Sequence, residues 1–311
     1  MDLTLSPEQE ALAKTVRAAC APFDDDYWLE HDASAEFPFD FHRAMADCGV
    51  LGIAMPEAYG GTGLGVTEAA LVMHEVARSS GGQSAASAIH INIFGPHPVV
   101  VFGTEEQRRE WLPPLIRGEQ KTCFGVTEPD AGLDTTSIKT RAERDGDGYR
   151  IYGKKIWTTT AQEADKILLL TRTTPKEECR KRTDGLTLFY TDLDRRYVDV
   201  RVIPKMGRAA VDSNEVFIDG LPVPASHRIG DEGRGFEYLL HSLNPERILV
   251  GVEAVGLGRN ALDRAAKYAR ERIVFGRPIG QNQSIQHPLA ESWMQLEAAP
   301  FVADAVARRH R

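Results

Sequence analysis

The chain has 311 residues, of which 42% are hydrophobic and 26% charged, and its formal net charge is −8. Length and composition predict a soluble protein of about two domains, or three small ones, with sizeable buried cores. The negative balance argues against nucleic acid as a main partner, and no apolar run is expected to span or insert into a membrane.

Met1-Asp2-Leu3-Thr4-Leu5-Ser6-Pro7 lacks the basic start and apolar core of a signal peptide, so a cytoplasmic location is expected. Ser6 and Pro7 then open a helix as N-cap and first position, with Glu8 and Glu10 in the first turn. Phe39 to Cys48 reads as another helix, with Gly49 as its stop. Met55 to Gly65 is glycine-rich, but no Gly-Lys-Ser/Thr follows and no strand-to-helix unit frames it, which disfavours a phosphate cradle. Apolar residues at 70, 71, 73 and 76 mark a helical stripe. Ser84 to His90 and Pro98 to Phe102 continue the helical material, and Thr104 to Gln107 resembles a capping box. Residues 1–120 are therefore expected to form a helical domain. The cysteines at 20, 48, 123 and 179 have neither metal-ligand nor redox spacing and read as reduced thiols. No metal site is expected.

Residues 121–231 change character. Phe124 and Val126 alternate with smaller residues, as on a strand with one apolar face. Glu128 to Gly132 reads as a turn, with Gly132 able to take positive φ. Strands are expected at Arg141 to Glu143 and Tyr149 to Ile156 around the turn at Asp145 to Gly148. Further short runs follow at 166–172, 186–191, 198–203 and 214–218, the pattern of a small β-barrel or sandwich. In a plain strand Trp157 and Thr159 share one face and Thr158 and Thr160 the other. A large ring beside a hydroxyl suits a planar heteroaromatic, although cross-strand packing would use the same residues.

Residues 232–311 are helical again. Asn244-Pro245 reads as a helix start or a kink. Gly251, Gly256 and Gly258 would allow close approach of a neighbouring helix, and a last helix from Ser284 is expected to break at Pro288 and Pro300. Glu246 shares a helical stripe with Val250, Glu253 and Leu257, a half-apolar setting that would lift its pKa. The fold class is α+β: a helical domain, a central β-barrel domain, then a helical bundle.

Three motifs give this pattern a family likeness. Phe124-Gly125-Val126-Thr127-Glu128-Pro129 with Ala131-Gly132, followed by Trp157-Thr158-Thr159, resembles the flavin-binding core of the acyl-CoA dehydrogenases. Pro56 to Gly61 is similar to their early loop, and Arg272-Ile273-Val274-Phe275-Gly276 with Gln283 to a third signature. The resemblance runs over essentially the whole chain. It implies α,β-dehydrogenation of a fatty acyl-CoA thioester, in which a carboxylate removes the α-proton while the β-hydrogen leaves as hydride to FAD. It also implies an electron-transfer flavoprotein as redox partner.

Roles implied by the resemblance attach to particular residues. Phe124, Val126 and Thr127 would line the flavin ring, Trp157 would stack on it and Thr159 would hydrogen-bond it. Arg272, Phe275 and Gln283 would hold the far end of a neighbouring subunit's FAD, which implies a homo-oligomer. The base would be Glu246, on the long helix directly before Arg247, as in isovaleryl-CoA dehydrogenase; Glu253 is its local competitor. Arg247 and Leu133 fall on the substrate side. Leu133 stands where the family commonly has serine, which puts that contact in question. The expected C-terminal bundle is incomplete, lacking the family's closing helices. The alternatives are a catalytically silent, truncated homologue serving as a binding or assembly subunit, and an oxidase.

Overall fold

Helices built on local capping signals open the chain. The computed structural model describes residues 5–309, with side chains through 299. Helix α1 (Pro7–Cys20) is closed by Ser6, whose hydroxyl accepts from the Gln9 amide at 3.2 Å while the Gln9 side chain accepts from the Ser6 amide. Thr104 and Gln107 make the same reciprocal pair for α7 (Glu105–Ile116). Between them lie α2 (Asp25–Ser34), α3 (Phe39–Asp47), α4 (Val66–Arg78), α5 (Gly82–Phe94) and α6 (His97–Phe102). Gly49, at φ 80°, ends α3 as expected. In the glycine-rich loop the amides of Gly61 and Gly63 turn back to Pro56 and Met55 carbonyls, so they are already committed within the loop.

One sequence expectation needs correction here. Gly82–Phe102 is long and apolar enough to cross a membrane by length and composition. Its apolarity has another use in this fold, since 78% of the most apolar window is buried inside the protein. Ala85, Ala86, Ile89 and Phe94 join α1, α3 and α4 side chains in one helical core.

The central sheet contains β1 (Thr122–Gly125), β2 (Arg141–Asp145), β3 (Gly148–Thr159), β4 (Lys166–Arg172), β5 (Leu186–Asp192), β6 (Val198–Val202), β7 (Ser213–Pro224) and β8 (Arg228–Ile229). Its order is β6-β7-β3-β2-β4-β5-β8, with β1 parallel to β4. Residues along β4 and β5 are buried on both faces. Ile167, Leu169 and Phe189 meet Tyr149, Ile151, Val198 and Val216 in the sheet's own core, while Leu168, Leu170, Leu188 and Tyr190 pack against helical residues such as Trp111, Leu112 and Leu239. The second cluster is what seats the sheet on the helices.

The C-terminal part departs from expectation in three places. Helix α8 (Gly235–Glu271) begins well before Asn244 and runs through Pro245. The missing N–H removes one ladder bond, but Pro245, Ile248, Leu249 and Val252 are buried, and that packing offsets the loss. Two of the three glycines are in close approach to a neighbouring helix: a Cβ at Gly256 would lie 2.3 Å from the His74 carbonyl of α4, and one at Gly258 would lie 2.7 Å from the Leu296 side chain of the last helix. Gly251 faces nothing within 4 Å. Finally, a hairpin of β9 (Ile273–Val274) and β10 (Arg277–Pro278) leads into α9 (Gln283–Arg309), which continues through Pro288 and Pro300.

Candidate active site

The stretch after β1 and the end of β3 form one side of the site. Glu128 and Ala131 exchange two backbone hydrogen bonds around Pro129-Asp130, the turn expected from sequence, although Gly132 does not adopt positive φ. Thr127 is tied to β3 by its carbonyl, which accepts from the Ile156 amide at 2.9 Å. Its own amide and hydroxyl have no partner among the described residues.

The expected grouping holds, with Thr158 and Thr160 buried and Trp157 and Thr159 not, but the alternation along β3 is reset just before it. The register of β3 on β7 shifts between Lys155 and Thr158, and Trp157 sits at φ 61° with 59% of its surface exposed. The extra residue of a bulge turns the following side chains over. Thr158 is therefore fully buried, with its hydroxyl unpartnered, while Thr159 is half-buried. Asn214 holds the Thr158 carbonyl at 2.8 Å. An exposed indole and the free Thr127 amide and hydroxyl, with half-buried Thr159, make a polar set beside an aromatic platform. Those residues fit the flavin ring.

Sequence reasoning passed over the groups beneath this surface. Lys155 is 0% exposed and donates to Glu128 Oε1 at 3.0 Å and to the Val126 carbonyl at 3.1 Å. Glu128 also accepts from the amides of Lys139 and Thr140, at 2.7 and 2.9 Å. Burial pulls the ammonium down to about 8, with Glu128 acting against that. For Glu128 burial pushes upward, but the Lys155 charge and the hydrogen bonds hold the carboxyl below its ordinary value. The signal was present: with two adjacent lysines in a strand, one must point inward.

The second side is helical. Phe124 packs edge-on against Phe94 of α5, with centroids 6.0 Å apart, and Phe94 lies 5.4 Å from the His90 ring. His90 Nδ1 donates to Glu253 of α8 at 3.0 Å, and Gln83 donates to the other Glu253 oxygen at 3.0 Å. Arg208, in the loop before β7, reaches Ser87 on α5 and Ser213, at 2.7 and 3.0 Å. Glu253 is 0% exposed. Hydrogen-bonded and sealed, it is a fixed part of the α5–α8 contact, and the expected stripe divides, because Val250 and Leu257 lie on the exposed side.

Glu246, two turns earlier on α8, is half-buried and has no hydrogen-bond partner among the described residues. Burial raises its pKa, opposed by the charges of His90 and Arg247 and reinforced by that of Glu253. Arg247 is exposed and donates to Asn244 at 2.7 Å. Helical geometry separates the two neighbours, leaving the carboxylate uncommitted.

The remaining sequence-predicted residues are at the surface. Arg272, Phe275 and Gln283 are exposed around the β9–β10 hairpin. Its two turn residues, Phe275 and Gly276, have φ 53° and 77°, the conformation of a tight hairpin of the primed type. Leu133 is 107% exposed, in a turn where Asp134 accepts from the Thr136 and Ser137 hydroxyls at 2.6 Å each. No buried contact attaches to Leu133. Among the described residues no His/Cys/Asp/Glu group could hold a metal ion, and the cysteines are free thiols.

Comparison with known proteins adds to this geometry. Three family models match in order: acyl-CoA dehydrogenase N-terminal domain at residues 6–119, middle domain at 123–221 and C-terminal domain at 233–311. A benzylmalonyl-CoA dehydrogenase of Aromatoleum aromaticum is 36% identical over 99% of this chain and 80% of its own length. A probable acyl-CoA dehydrogenase of Bacillus subtilis is 33% identical over 96% of this chain and 78% of its own. The solved structure of butyryl-CoA dehydrogenase from Megasphaera elsdenii superposes with a TM-score of 0.92 at 28% identity, covering all of this chain and 81% of that one.

Proposed function

The chain belongs to the acyl-CoA dehydrogenase family, and on that premise we propose that it oxidises an acyl-CoA thioester at the α,β carbons with Glu246 as the base. It is an FAD-dependent oxidoreductase of the CH–CH class. When bound, FAD supplies the hydride acceptor. The chain's own residues supply the rest.

Glu246 carries the reading. A base for a weak carbon acid must be uncommitted, reachable and less acidic than an ordinary carboxylate. Glu246 has a free carboxyl raised by burial, whereas Glu253 is locked to His90 and Gln83. Trp157 and Phe124 provide the aromatic surfaces for the ring, and Thr127 with Thr159 its polar contacts; Val126 lies beneath. Arg247, exposed beside the base, is placed to meet an anionic part of the substrate. Arg272, Phe275 and Gln283 serve a neighbouring copy of the chain, so the working form is a homo-oligomer. Electrons leave to an electron-transfer flavoprotein.

The test is anaerobic mixing of the FAD-loaded protein with a panel of acyl-CoA esters. At least one ester should bleach the flavin, and Glu246→Gln should slow the bleaching by about 10²–10⁴-fold. A flavin that no ester reduces would refute the activity. Near-normal reduction in Glu246→Gln would refute the base.

A further inference from the structure

The buried Lys155–Glu128 pair lies directly behind the stretch that faces the ring. Each polar group of Val126-Thr127-Glu128 on that hidden side is held. Lys155 Nζ binds the Val126 carbonyl, the Ile156 amide binds the Thr127 carbonyl, and the Lys139 and Thr140 amides bind the Glu128 carboxylate. The Val126 carbonyl and the Thr127 N–H belong to one trans peptide, since there is no cis bond among the described residues. They therefore point in opposite directions. With the carbonyl turned inward to the ammonium, the Thr127 N–H turns outward, and among the described residues it has no partner.

A cation on the carbonyl oxygen polarises its peptide and strengthens the N–H at the other end as a donor. Hydride addition brings two electrons and one proton, so a neutral oxidised flavin becomes an anion. We propose that Lys155 is a positioning residue of the flavin site, which acts through the Val126–Thr127 peptide to favour the reduced cofactor over the oxidised one. Glu128 keeps the buried ammonium charged and fixes its direction. This inference rests on the flavin reading above and adds to it a determinant of redox potential.

Redox titration of the FAD-loaded protein is the test, beside FAD affinity and the melting temperature of the apoprotein. Lys155→Met keeps the aliphatic stem and removes the charge. It should weaken binding of reduced relative to oxidised FAD about tenfold, a fall of about 30 mV for a two-electron couple. Lys155→Arg should restore most of that difference. Removing one partner of a buried pair also destabilises the fold. The double variant Glu128→Gln/Lys155→Met leaves no unpaired charge, so it should melt closer to wild type while its potential stays low. A double variant with the wild-type potential would show the pair to be structural only and overturn the proposal. A wild-type chain that binds no FAD would overturn the functional reading, and this one with it.

Discussion

Two bulky aromatics, Trp157 and Phe275, occupy left-handed backbone at φ 61° and 53°. Large side chains rarely adopt that region, and such outliers concentrate where a site needs them. Both rings stand exposed, at 59% and 101%. Glu246 is a third residue held against its preference, since burial raises its pKa. On the proposed reading Glu246 acts ionised, so flavin reduction should fall as the pH drops through a midpoint above the ordinary carboxylate value of 4.5. A pH profile of anaerobic bleaching gives that midpoint. Stability has the opposite sense. A carboxyl whose folded pKa is raised stabilises the fold below its unfolded value, and the contribution is lost as pH rises through the folded one. Glu246→Gln should therefore melt higher than wild type at pH 7, with the gap closing toward pH 4. Equal melting temperatures at both pH values would mean the carboxylate is not strained by its surroundings.

Elements were legible where a local signal met no competitor. The Ser6 and Thr104 caps and the Gly49 stop are examples, because capping depends on residues within one turn. Pro245 misled for the converse reason: its helix-breaking tendency is local, while the packing of Ile248, Leu249 and Val252 that overrides it is tertiary. The shared face of Trp157 and Thr159, opposite buried Thr158 and Thr160, was legible; the bulge that offsets that face from Lys155 was not, because it leaves no mark in the sequence. The junction of α3, α5 and β1 depends wholly on long-range contacts. Asn92 on α5 donates to His42 Nε2 on α3 at 3.3 Å and accepts from the Thr122 amide of β1 at 3.2 Å. This needs neutral His42, and burial, with Lys121 and Arg43 nearby, takes its pKa from 6.5 to about 4. The unfolded chain binds the proton more readily between those values, so acidification across that window should remove stability, up to ~3 kcal/mol. Urea unfolding at pH 7 and pH 4.5 measures it. His42→Gln, which keeps an acceptor for Asn92 and has no titration there, should show a distinctly shallower acid loss; an identical loss would place the acid sensitivity elsewhere.

At the scale of the molecule, the proposed site draws on three parts: the sheet for Thr127 and Trp157, α5 for His90, and α8 for Glu246. What lies outside that site is the β9–β10 hairpin, with Phe275 101% exposed beside Arg272 and Gln283. A strained, fully solvated phenylalanine contributes little to its own chain's fold, and on the proposed reading it serves a second copy. The substitution Phe275→Gly separates the two. Glycine accepts φ 53° without strain, so the isolated chain should melt no lower than wild type, apart from a small entropic cost in the turn. If the ring completes a neighbour's cofactor site, the variant should hold FAD more weakly, by about tenfold for an exposed aromatic that becomes a buried contact. Its sedimentation should also shift toward smaller species at low concentration. A wild-type chain that sediments as a monomer while binding FAD as tightly as Phe275→Gly would remove the hairpin from the site altogether.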